Sequence, residues 1–132
     1  MIGIVVVTHG RVAEELVNTA RTIVGEIPAI TAVSIGWGDD PAAANGAIER
    51  GLAEVGGGDA LLLTDMFGGT PTNLSLPFLS SRVEIVTGVN LPMIIKATAL
   101  REGALAEVAR AVREQGQGAI YVASEILERK PS

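Results

Sequence analysis

The chain has 132 residues, 48% of them hydrophobic, and sets 10 basic against 15 acidic side chains for a formal charge of −5. That length suits one domain over residues 1–132 with a single core, and scattered basic residues in an acidic chain argue against nucleic acid as a partner. No apolar run nears the roughly 18 residues that cross a bilayer, the first residues lack the basic start of a signal peptide, and the absence of cysteine removes disulfides and thiolate metal sites and fits a cytoplasmic protein.

The aromatics are only Trp37, Phe67, Phe78 and Tyr121, so the core is expected to be aliphatic. Residues 2–8 are apolar throughout and read as a parallel strand buried on both faces. A helix is expected over roughly 11–24, with Ala13, Leu16, Val17, Ala20 and Val24 on one face and Gly25 as its stop. Residues 30–35 form the second strand. Asp40 as cap and Pro41 at the first helical position open the next helix. Its face carries Ala44, Ile48, Leu52 and Val55, and it ends at Gly56-Gly57-Gly58. A third strand spans 60–64. Thr70 as cap and Pro71 then open a helix that Pro77 should shorten or kink. A fourth strand spans 83–87. A helical stretch is expected over about 93–100, and a second carries Leu105, Val108, Ala109 and Val112 on one face until Gly116 to Gly118 break it. Ala119 to Ala123 reads as a short fifth strand. Lys96 and the arginines read as solvated surface.

Strands alternating with helices predict an α/β, doubly wound, mostly parallel sheet in the flavodoxin-like order 2-1-3-4. That order makes strands one and three neighbours, with the winding reversing between them. Ligands of such sheets bind at the carboxyl edge of this switch point. His9, the one histidine, ends strand one before Gly10, and Asp65 follows strand three. A carboxylate can take one imidazole N–H, fix the tautomer and leave the other nitrogen with a lone pair. Gly68-Gly69-Thr70 before Pro71 offers backbone N–H groups to an anion. Together these parts suit phosphoryl transfer through His9, since that reaction needs mainly positioning and charge stabilisation. Trp37 either lines this edge or packs on it, Asn90 reads as a turn residue whose amide lies on the same edge, and Asp39 and Asp40 read as caps.

Three blocks, Val6-Val7-Thr8-His9-Gly10, Thr64-Asp65-Met66-Phe67-Gly68-Gly69-Thr70-Pro71-Thr72-Asn73 and Thr87-Gly88-Val89-Asn90-Leu91-Pro92-Met93, resemble those of the mannose-family IIA domain of the bacterial phosphoenolpyruvate:sugar phosphotransferase system. The resemblance covers nearly the whole chain in order and spacing. It implies that His9 is phosphorylated by the phosphocarrier HPr on its ε nitrogen and passes the group to a IIB domain, while Asp65 holds the δ nitrogen. It also implies that Gly68, Gly69 and Thr70, with Gly10, contact the phosphoryl group; Trp37, Phe67 and Asn90 are further candidates for the site lining. No cofactor or metal is implied. A homodimer is, with the segment near Ala119 to Ala123 pairing into the partner's sheet. Phe67 stands where well-known sugar-transporting members have Trp, and Thr70 where they have Ser. Because the sequence stops at Ser132 without a linker or IIB domain, the acceptor is expected on a separate chain, in sugar uptake or in a regulatory role.

Other readings fit less well. A receiver domain needs an acidic pair at the end of strand one for Mg²⁺, where Thr8-His9 stands. An FMN-binding flavodoxin needs a hydroxyl-rich loop where Arg11-Val12-Ala13 lies. The IIA-like subunit of a dihydroxyacetone kinase system shares the fold and a strand-one histidine, but is not expected to carry the Gly-Gly-Thr-Pro-Thr-Asn string. A flavodoxin-like regulatory or binding module without catalysis requires His9 and Asp65 to lie apart.

Overall fold

The computed structural model describes residues 1–127. Four strands, β1 (Gly3–His9), β2 (Ile30–Ile35), β3 (Ala60–Thr64) and β4 (Val83–Thr87), form one parallel sheet in the order β2-β1-β3-β4. The helices are α1 (Val12–Val24), α2 (Pro41–Glu54), α3 (Thr70–Ser75), α4 (Leu91–Leu100), α5 (Leu105–Gly118) and a short α6 (Ala123–Ile126). The doubly wound order expected from the sequence is the one found.

The alternation of β1 explains the winding. Ile4 and Val6 point to one face, where Leu61 and Leu63 of β3 join Ala13, Val17 and Ala20 of α1, Ile94 of α4 and Val112 of α5. Val5 and Val7 point to the other, with Leu62 of β3 and Ala44 and Ile48 of α2. Both faces are covered, so each side chain from Ile4 to Val7 is fully buried, contributing about 1.5–3 kcal/mol apiece. β4, the last strand of the sheet, is only half-buried along its length.

Several local expectations need correction. The fifth strand at Ala119 to Ala123 does not form within this chain. Ala119 closes α5, Val122 is extended without a ladder partner, and α6 starts at Ala123. Ile120, Tyr121 and Val122 are left exposed. Gly116 does not break α5. It lies buried within the helix, where a Cβ would come within 2.6 Å of the Met93 side chain, so tertiary packing of α5 on α4 overrides glycine's poor helix propensity. The last regular helix before the Pro77 region stops at Ser75, and a 3₁₀ turn follows over Leu76–Phe78, as a proline there requires. Neither Asp40 nor Thr70 caps through its side chain. Gly69 holds the cap position of α3, one residue before Thr70.

Arg101 is not surface either. It is 5% exposed at the amino edge of the sheet. Its guanidinium donates to the carbonyls of Ile2 (2.9 and 3.0 Å), Ala29 (2.7 Å) and Pro28. Ala29, the one described non-glycine residue with positive φ (49°), sits in the loop this clamp holds.

Candidate functional site

His9 and Asp65 meet because β1 and β3 are hydrogen-bonded neighbours that end at the same edge. The His9 Nδ1 lies 2.7 Å from Asp65 Oδ2. The same oxygen accepts the His9 backbone N–H at 3.0 Å, and Oδ1 accepts the Met66 N–H at 3.0 Å. An ionised carboxylate only accepts hydrogen bonds, so Nδ1 carries a proton, and in the neutral ring Nε2 is the nitrogen with the lone pair. Nε2 has no hydrogen-bond partner among the described residues. Burial alone would raise the Asp65 pKa, but the ring and backbone hydrogen bonds of His9, with the charge the ring can carry, outweigh it and hold the carboxyl below its ordinary value.

The turn from β3 into α3 packs directly on the imidazole. A Cβ at Gly69 would stand 2.8 Å from His9 Cε1 and 3.4 Å from Nε2, so any side chain there would displace the ring. Gly68 takes φ +85°, a conformation L side chains rarely adopt. No acceptor among the described residues takes the backbone N–H of Gly68, Gly69 or Thr70. Gly10 differs from the expectation: its φ of +52° makes the turn after β1, but its N–H donates to the Ile35 carbonyl at 2.8 Å and is not available to an anion.

A recess of about 200 Å³ opens beside the ring, lined by His9, Ile35, Trp37, Pro41, Thr70 and Leu74 among others. Trp37 therefore lines the site, its ring centroid 5.8 Å from that of His9. Phe67 and Asn90 lie elsewhere. Both line a groove of about 660 Å³ along β4 and α5, and the Asn90 side chain caps α4 by accepting the Met93 N–H at 3.1 Å. Among the described residues no group of three or more His, Cys, Asp or Glu is placed to hold a metal ion, and no helix is long and apolar enough to cross a membrane.

Two threonines escape the sequence reading. Thr8 is fully buried, and its Oγ1 accepts the Ala13 N–H at 2.7 Å, tying the first turn of α1 to the end of β1 immediately behind His9. Thr72, also fully buried, donates to the Met66 carbonyl at 2.6 Å and is hydrogen-bonded to the Thr64 hydroxyl at 2.8 Å. It ties both ends of the Asp65 turn together. A hydroxyl followed by a helix start hints at Thr8. Nothing in the local pattern marks Thr72, because its partners are set by the path of the turn.

A family model described as the PTS system fructose IIA component matches residues 3–113. The "PTS system fructose-specific EIIA component" of Bacillus subtilis (strain 168) is 29% identical over 133 residues, covering 98% of this chain and 91% of that protein. The "PTS system mannose-specific EIIAB component" of Escherichia coli (strain K12) is 32% identical over 109 residues and 76% of this chain, which spans only 32% of that longer protein. The solved mannose/sorbose specific IIA subunit of the phosphotransferase system from Enterococcus faecalis superposes with a TM-score of 0.84 at 29% identity, covering 92% of this chain and 93% of the other. Neither the kinase-subunit reading nor the non-catalytic one is favoured by these likenesses. With the signature turns on the edge that the sheet order dictates, and with a match over most of its length, the chain belongs to the PTS fructose IIA component family.

Proposed function

We propose that the chain is a phosphohistidine carrier of the phosphoenolpyruvate-dependent sugar phosphotransferase system, working in the cytoplasm. It takes a phosphoryl group from HPr onto Nε2 of His9, then passes it to a IIB partner or holds it as a regulatory signal. The observation that carries this reading is the 2.7 Å contact between His9 Nδ1 and Asp65. In the forward step the Nε2 lone pair bonds to phosphorus, the donor's N–P bond breaks, and its electron pair stays with the donor ring. His9 retains its Nδ1 proton, and Asp65 stabilises the cationic ring. The N–H groups of Gly68, Gly69 and Thr70 are suited to receive the phosphoryl oxygens. The recess is smaller than the ~300–1,000 Å³ of a small-molecule site, which supports a group delivered by a protein rather than a bound sugar.

A homodimer belongs to the same reading. Among the described residues no strand lies on the outer edge of β4, the groove beside it is largely apolar, and the exposed Ile120 to Val122 segment follows α5 directly. Uncovered edges of this kind invite a strand from another chain. A partner's Ala119 to Ala123 laid on β4 would supply the strand that one chain does not form by itself.

Incubation with phosphoenolpyruvate, enzyme I and HPr, followed by mapping of the label, tests the proposal. The expected result is one acid-labile phosphate on His9 and none on His9→Ala, whose circular dichroism should match the parent. Label persisting on His9→Ala would overturn it.

A further inference from the structure

Trp37 is 89% exposed, although an indole is the largest apolar side chain a protein can bury. Core packing does not hold it there. Its loop is fixed instead by short-range chemistry: Asp39 Oδ2 accepts the Gly36 N–H at 2.7 Å, and Gly38 takes φ +90°. The loop brings the indole to 5.8 Å from the imidazole, with the planes inclined by 34°. That separation lies within the range of interacting aromatic rings. The opposite constraint on the ring is Gly69, whose missing side chain leaves the imidazole its room. The recess between Trp37, Thr70 and Leu74 opens onto this arrangement.

We propose that Trp37 is a positioning residue that sets how long the phosphorylated state of His9 survives. The inference rests on the phosphocarrier reading of the site. Once Nε2 carries a phosphoryl group, the imidazole becomes cationic, and a cation beside an indole face is stabilised. A stabilised ring is a poorer leaving group to water. The indole also narrows the recess through which water reaches phosphorus. Hydrolysis adds water oxygen to phosphorus, breaks the N–P bond, returns the electron pair to Nε2 and releases inorganic phosphate. Removing the indole opens that route. A protein partner that docks over the recess excludes water by itself, so transfer to a partner depends on Trp37 less than survival in free solution does.

The test loads the protein with phosphoramidate, whose ammonia leaves as Nε2 takes the phosphoryl group, so that no protein donor is needed. The half-life of phospho-His9 is followed by phosphorus NMR for the parent, Trp37→Ala and Trp37→Phe. The expected result is hydrolysis about three- to fivefold faster in Trp37→Ala, from the size of an exposed cation–π contact, with Trp37→Phe near the parent. Emission of this sole tryptophan should also change on loading and stay constant for His9→Ala treated alike. Equal half-lives for parent and Trp37→Ala would overturn the inference, as would faster hydrolysis in Trp37→Phe equal to that of Trp37→Ala. Loading by phosphoramidate but not by HPr would overturn the phosphocarrier reading and leave the half-life comparison standing. No loading of His9 at all would overturn both.

Discussion

The two edges of the sheet each hold a charged or chargeable side chain, and they treat it oppositely. At the amino edge the Arg101 guanidinium is held by four hydrogen bonds to the carbonyls of Ile2, Pro28 and Ala29 and is closed to solvent. At the carboxyl edge the imidazole of His9 is held at one nitrogen only, and the other looks onto a recess. A buried charge held by four hydrogen bonds is architecture, since any reaction would first have to break those bonds. A ring with one bond made and one withheld is oriented yet reactive. The contrast also shows why a carboxylate and not a cation suits the neighbour of His9: an acceptor fixes the tautomer, whereas a cation would oppose the charge that the proposed phosphorylation would develop.

Changes that break one edge should leave the other intact, and the largest effect belongs to the carboxyl edge. Asp65→Ala should slow phosphoryl uptake by about 10²- to 10⁴-fold through loss of the group that orients the ring, with a loss of thermal stability smaller than that of an amino-edge variant; rapid-quench transfer from phospho-HPr measures it. At the amino edge, Arg101→Leu should lower stability by about 3 kcal/mol, because buried carbonyls lose their donors. The melting temperature should fall on the order of 10 °C, while uptake measured well below the transition stays within twofold of the parent on the order expected for a distant site. Coupled losses in either variant would erase the distinction between the two edges.

Thr72→Val should have a smaller effect. Without the hydroxyl the Asp65 turn loses its tie to Met66 and Thr64, and uptake should fall about tenfold, the kinetic equivalent of roughly one hydrogen bond. Thr72→Ser should recover most of it, which a purely volumetric role would not produce. The smallest effect is on acid stability. The folded-state pKa of Asp65 lies below its ordinary 3.8, so the stabilisation is fully present above that value and fades as pH falls through the folded-state pKa. Urea titrations of the parent and Asp65→Asn should therefore differ near neutrality and converge in acid below pH 3.8.

The fold was legible in the sequence where local pattern and topology agree. The unbroken apolar run of β1 called for cover on both faces, and the alternation of strands with helices pointed to the doubly wound order that places His9 beside Asp65. The glycine pair after Asp65 also announced itself. What stayed hidden depends on distant partners. Arg101 finds the carbonyl of Ile2 across the chain, and no neighbouring residue signals that it is buried. Gly116 looks like a helix breaker until Met93 is seen against it. The apolar run at Ile120 reads as a strand, but a strand needs a partner, and among the described residues this segment pairs with no strand of its own chain. Thr72 belongs to the same class, since its role exists only once the turn has closed.

One oxygen of Asp65 grips His9 twice, at the main-chain amide and at the ring. The two contacts form a small chelate around a single side chain, and rotating the imidazole by half a turn would open it. In the proposed transfer, regiochemistry would therefore follow from the strand pairing: of the two isomeric phosphohistidines, only the Nε2 one would form without giving up the ring contact to Asp65.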